Sequence, residues 1–203
     1  AVMTSAQVAS LTTDQLMGLS TLQAAALTSA QVVGIAAADL AEMETEDIAA
    51  LSTAVIAKLT TAQIVALTTD QFSSLTTDQL VAMTTKQVAA METEDEQALS
   101  TDQLVAMTTS QIAAMTTVQV VALTTNQVSN LTTKQLIAMT TKQVAAMETE
   151  DQLVLSTDQM LAMTSAQVAA FTTDQIVALT TDQTSNMTTA QIAGMTTAQV
   201  VAL

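Results

Sequence analysis

The chain has 203 residues, with 4 Lys+Arg against 19 Asp+Glu for a net charge of −15, and it lacks Cys, His, Pro, Trp and Tyr. These absences exclude a disulfide framework, a Cys/His zinc site, a thiol nucleophile, an imidazole base and a His-ligated haem. Four Lys and no Arg argue against nucleic acid as a partner, because phosphate contact needs a basic surface.

Mean hydropathy is +0.41, yet Thr, Ser or Gln interrupts every apolar run after a few residues. No stretch is long enough to span a bilayer. The sequence begins at Ala and shows no signal peptide, which reads as a processed product or a piece of something longer. The absence of Cys fits an extracellular protein without disulfides.

One repeat runs through the chain. From Met3 to Ala202 the sequence divides into 25 octads without insertion or deletion, and Leu203 opens another. The consensus is [LM]-T-T-x-Q-[VLI]-[AV]-A. Position one is apolar in every octad, position two is Ser/Thr in 21 of 25, and position five is Gln in 20 of 25. Position four varies freely, with Lys86, Lys134 and Lys142 among its occupants.

Thr at position two and Gln at position five, before an apolar residue, form a capping-box signature. The pairs Thr12 and Gln15, Thr76 and Gln79, Thr108 and Gln111, and Thr132 and Gln135 exemplify it. Positions one and six then make a hydrophobic staple, as in Leu11 with Leu16, Leu75 with Leu80, Met107 with Ile112, and Leu131 with Leu136. Asp or Glu at position four suits the positive end of the helix dipole. A cap every eight residues is also a break every eight residues, because an N-cap is non-helical. Each octad therefore predicts a helix of about six residues, too short to stand alone. On a helical wheel with about 100° per residue, positions six and one share one face and position four lies opposite.

The expected fold is all-α: a solenoid of very short capped helices, wound at two octads per coil into an elongated rod. A β-solenoid is the alternative, because the Thr-rich, Pro-free repeat also suits a β-coil. A continuous helix fits poorly, since eight residues leave about 80° of drift per octad. No linker is visible, so residues 1–203 read as one continuous array.

In chain order, the N-terminal third is the least regular, with Ile35–Glu42 (IAAADLAE) the most divergent octad. METED octads begin at Met43, Met91 and Met147, and polar endings occur at Ser73-Ser74, Ser129-Asn130 and Ser185-Asn186. Residues 75–130 match 131–186 at 41 of 56 positions, a super-repeat of seven octads. The Ser-Asn endings read as turns in which Asn accepts left-handed geometry, with lateral contacts between rods as the alternative.

The acidic clusters are Glu44, Glu46, Asp47; Glu92, Glu94, Asp95, Glu96; and Glu148, Glu150, Asp151. Weak Ca²⁺ binding is one reading, since hard cations take several carboxylate oxygens. The other is a solvated first turn with Asp replacing Gln in the capping box. No other cofactor is expected. The carboxylates lie on a repeating surface with no pocket implied, so the chain is not expected to be an enzyme. The Thr-Thr pairs could present a regular hydroxyl array to ice, mineral or a partner protein.

The unit LTTDQLVAM resembles the first helix of a TAL-effector repeat, and only that helix. Across all 25 octads the chain is more similar to the LTTAQVAAL-type octapeptide arrays of very large bacterial exoproteins, often labelled adhesion or haem-utilisation proteins. That resemblance implies a structural role outside the cell or at its surface. The expected function is a segment of an extracellular filament or adhesin-like rod, extended by end-to-end stacking on itself. The alternative is a surface-binding module built on the Thr array.

Overall fold

In the computed structural model, which describes residues 3–203, the helices follow the octad. Helices of four to six residues recur from Ser5–Ala9 to Thr197–Ala202, 25 among the described residues, with no strand between them. The fold is an all-α repeat solenoid, and the β-solenoid alternative is not supported.

Each break is made by two extended residues, without a loop. Leu67 at position one has φ −60°, ψ 139°, and Thr76 at position two has φ −72°, ψ 156°. No described residue has a positive φ. The corner therefore needs neither Gly nor Pro, because any L-residue adopts the β region at no steric cost. Backbone hydrogen bonds continue through it. Leu80 N–H donates to Thr76 O at 3.0 Å, and Met83 N–H donates to Leu80 O at 3.1 Å.

The chain contains two compact units, one ending at Met107 and one spanning Thr108–Leu203. Within each, a helix packs against the helix three octads away: Thr53–Ile56 against Thr77–Ala82 in the first unit, and Ser165–Ala169 against Thr189–Gly194 in the second. Hydrogen bonds between turns span 25 to 31 residues. A turn thus takes between three and four octads. The expected two octads per coil is wrong. The physical reason lies in position five, whose amide reaches carbonyls 28 and 31 residues back and so bonds across a turn longer than two octads.

Positions one and six form the core. Ile48, Ile64, Phe72 and Leu80 at position six are fully buried, and Leu51, Leu67 and Leu75 at position one are nearly so. Position eight sits over position three of the turn below. Ser74 Oγ donates to Thr45 O at 3.3 Å, and a Cβ on Gly194 would lie 3.2 Å from Ser165 Cβ. Small residues at position eight keep the turns close. The Ser-Asn endings are not left-handed turns. Asn130 ends a helix, and Asn186 has φ −95°, ψ 0°, so the extended corner that follows needs no left-handed residue.

Position seven lies outside the core. We expect Ile64→Ala to cost ~2–5 kcal/mol through the cavity it leaves. Val65→Ala, at an exposed neighbour, should cost at most about 0.5 kcal/mol. Urea unfolding of the two variants checks the difference.

Candidate functional site

Position five is the structural centre of the repeat. In the octad starting at Leu75, Thr76 N–H donates to Gln79 Oε1 at 2.9 Å, and Gln79 N–H donates to Thr76 Oγ1 at 3.2 Å. The same box joins Thr12 with Gln15 (2.9 and 3.3 Å), Thr108 with Gln111 (2.8 and 3.2 Å), and Thr132 with Gln135 (3.0 and 3.2 Å). In the associated staples Leu75, Leu80, Met107, Ile112, Leu131, Leu136 and Leu16 are buried, and Leu11 is partly exposed.

The other end of the Gln79 amide crosses to the turn below. Its Nε2 donates to Ile48 O at 3.0 Å, Ala49 O at 3.1 Å and Leu51 O at 2.7 Å. These are carbonyls at the C-terminus of one helix and the corner after it, where a helix leaves acceptors unsatisfied. Gln71 and Gln103 repeat the pattern in the first unit, as do Gln167 and Gln183 in the second. One side chain thus closes the start of its own helix and the end of a helix one turn away. Burial is the consequence: Gln79 is only 2% exposed.

Sequence reasoning found the capping half of this arrangement and missed the cross-turn half. The available signal was the wheel angle of position five, about 200° from position three and so beside the apolar face. A residue needed only for capping can sit in water.

Where Asp replaces Gln, the cross-turn donor is gone. Asp39 Oδ1 instead accepts from Thr13 Oγ1 at 2.7 Å, and Asp95 Oδ1 from Thr69 Oγ1 at 3.1 Å. The N-caps Glu44, Glu92 and Glu148 make no side-chain capping bond. The solvated first turn read for these octads is also incorrect at position five. Asp47, Asp95 and Asp151 are buried, because position five faces the turn below whatever residue fills it.

The acidic octads therefore point two ways. Glu44, Glu46, Glu92, Glu94, Glu148 and Glu150 are exposed, while the aspartates turn inward. Among the described residues no three acidic side chains are placed to hold one metal ion. Glu96 and Gln152 occupy the core position six and are 2% and 0% exposed. Asp95 Oδ2, Asp151 Oδ2 and both amide atoms of Gln152 are buried without a hydrogen-bond partner.

Burial pushes the Asp95 carboxyl up to about 6, with Glu92 and Glu94 adding repulsion. The Thr69 hydroxyl and the Glu92 backbone N–H work against the rise. Burial also pushes Asp151 up to about 6, with Glu148 and Glu150 adding to it. Glu96 rises to about 9, mainly through burial and secondarily through Asp95.

The outer face is acidic and polar. Asp70, Asp78, Asp102, Asp158 and Asp174 at position four are all exposed. The position-two hydroxyls of Thr12, Thr76, Thr108 and Thr132 are engaged in caps, and at position three Thr13 and Thr69 spend theirs on cross-turn bonds. No helix is long and apolar enough to cross a membrane among the described residues.

The family model described as ALTTAQ repeat matches residues 40–77, 88–125, 119–149, 144–181 and 154–189. No curated protein matches the chain.

The two roles of position five can be separated. Gln79→Glu keeps the acceptor for Thr76 N–H but removes the cross-turn donors and sets a charge against buried carbonyls. We expect it to cost upwards of ~1–3 kcal/mol. Thr76→Ala, which removes only the cap, should cost about 1 kcal/mol. Urea unfolding that ranked Thr76→Ala as the more damaging change would assign the dominant role to capping.

Proposed function

The chain belongs to the ALTTAQ-repeat family, and on that premise we propose that it is a non-catalytic structural protein, a segment of a bacterial extracellular filament or adhesin-like rod that lengthens by stacking repeat on repeat. The observation that carries this reading is the cross-turn bond of position five, which ties octad after octad to the turn before it by the same contact. Gln7, Gln15 and Gln23 complete their capping boxes but lie exposed. Their Nε2 groups have no carbonyl partner among the described residues, whereas Gln31 already donates to Met3 O at 2.6 Å.

The last octads hold the complementary half. Position six is buried up to Ile176 (1% exposed) but Ile192 and Val200 are 42% and 48% exposed. Gln199 donates to Phe171 O at 2.7 Å, and the corners after Phe171 present carbonyls that no later glutamine of this sequence reaches.

If a second copy continues the octad period with its Met3 in the place of Leu203, the 28-residue separation of the cross-turn bond pairs the faces. Gln7, Gln15 and Gln23 of that copy then meet the carbonyls of Leu179, Met187 and Met195. A head-to-tail contact of this kind does not close on itself and makes a filament. The charge of −15 supports the same reading, because like-charged outer faces keep rods soluble and limit side-to-side bundling. The resemblance to octapeptide arrays of bacterial exoproteins supports the extracellular placement.

The test is a concentration series of the 203-residue chain by sedimentation velocity and negative-stain electron microscopy. Particles of constant width that lengthen with concentration are expected, and Gln7→Ala/Gln15→Ala/Gln23→Ala should shorten them. Particles of one fixed length at every concentration would overturn the stacking reading.

A further inference from the structure

Two octads stand apart from the rest by what they bury. Among the described residues, Asp95 Oδ2 in one of them, and Asp151 Oδ2 with both amide atoms of Gln152 in the other, are buried without a hydrogen-bond partner. In each, Asp takes the place where a glutamine would donate to the turn below. Counting back as for Gln79, the carbonyls facing Asp95 are those of Leu67 and Ile64, and those facing Asp151 are Leu123 and Val120. An ionised carboxylate has only acceptors and cannot bond a carbonyl, whereas a neutral carboxyl carries one O–H donor. The residue beside it at position six is Glu96 or Gln152 in place of an aliphatic side chain, so the apolar packing that could hold the turn closed is also weakened there.

We propose that these two octads are proton-operated rungs: with Asp95 or Asp151 neutral, its Oδ2–H supplies the missing cross-turn donor, and with the carboxylate charged the octad opens locally from the turn below. The inference rests on bonds inside each unit and is independent of end stacking.

The surroundings of both carboxyls favour the neutral form. Around Asp95, its own octad carries Glu92, Glu94 and Glu96. Helix Thr69–Ser74, packed against it, contributes the Thr69 hydroxyl and carries exposed Asp70. Around Asp151, its own octad carries Glu148 and Glu150. Of the helices packed against that octad, Thr125–Asn130 carries no titratable group and Thr173–Ala178 carries exposed Asp174. No cation on these helices compensates either charge.

Asp95 and Asp151 have folded-state values raised to about 6 from 3.8. A raised carboxyl value means that the folded state holds the proton more tightly than the unfolded state. The stabilisation is therefore complete below the unfolded value and is lost as pH rises through about 6. Glu96, raised to about 9 from 4.5, extends the loss in its octad to higher pH. This sign is opposite to that of ordinary acid denaturation.

Hydrogen exchange of the full chain, corrected for intrinsic chemical rates, tests the proposal. Segment 147–155 should open on the order of 100-fold more readily at about pH 8 than at about pH 4, and segment 91–99 more than that because Glu96 adds to Asp95, while a glutamine octad such as 75–82 stays level. Asp95→Asn/Glu96→Gln and Asp151→Asn, which install neutral side chains with a donor and give the first octad the Gln that the second already has at position six, should hold both segments protected across the range. Asp78→Asn/Asp158→Asn removes formal charge from exposed sites and should leave the pH dependence intact. Carboxyl NMR of the unaltered chain gives a readout that needs no variant: Asp95 and Asp151 should titrate above the exposed aspartates. Titration with the exposed aspartates, or equal pH dependence with Asn in both places, would overturn the proposal.

Discussion

The fold depends on a side-chain amide with two working ends. A helix of six residues gains too little from its own backbone bonds to offset nucleation, and both its termini carry unsatisfied groups. Gln at position five addresses both difficulties at once. Its Oε1 closes the start of its own helix, and its Nε2 closes the end of a helix in the next turn, as Gln79 does between Thr76 and Leu51. The amide is uncharged, so it can be buried at modest cost once every polar atom is bonded. Neither a carboxylate nor an ammonium group could serve, because one lacks donors and the other lacks acceptors.

What could be read from the sequence follows from distance along the chain. The cap and the staple each join residues within or next to one octad, so the pattern [LM]-T-x-x-Q-[VLI] is enough to place Leu75, Thr76, Gln79 and Leu80. The number of octads per turn is set by bonds between residues 25 to 31 apart, and no local rule reports on those. The inward aspartates are hidden for the same reason: in the sequence Asp95 stands among acidic neighbours that suit a helix surface, while its hydroxyl partner Thr69 lies 26 residues earlier. The one long-range clue in the sequence is the 56-residue super-repeat, which is twice the 28-residue separation of a recurrent cross-turn bond.

The acidic octads show what the repeat tolerates. Asp39 in a divergent octad keeps one cross-turn bond through Thr13, and Val55 fills the same place with a buried apolar side chain. The chain can therefore lose individual rungs without losing the winding, because each turn is also held by its neighbours' rungs and by positions one and six. A nearest-neighbour architecture distributes stability in this way, and weak octads open as local events rather than by unfolding the whole.

The two-residue extended corner has a consequence for how such arrays change length. It is made from ordinary residues with no positive φ, so every octad is an interchangeable brick, and whole bricks can be gained or lost at any corner without a special residue to preserve. Gain of one octad keeps the core in register but re-aims every outer side chain downstream by a fraction of a turn. Gain of seven octads restores the aim, since 56 residues equal two cross-turn separations of 28. Unequal recombination would then be filtered by direction as well as by packing. Blocks of 56 residues would survive wherever the outer face has a job to do, and single octads would come and go where it does not.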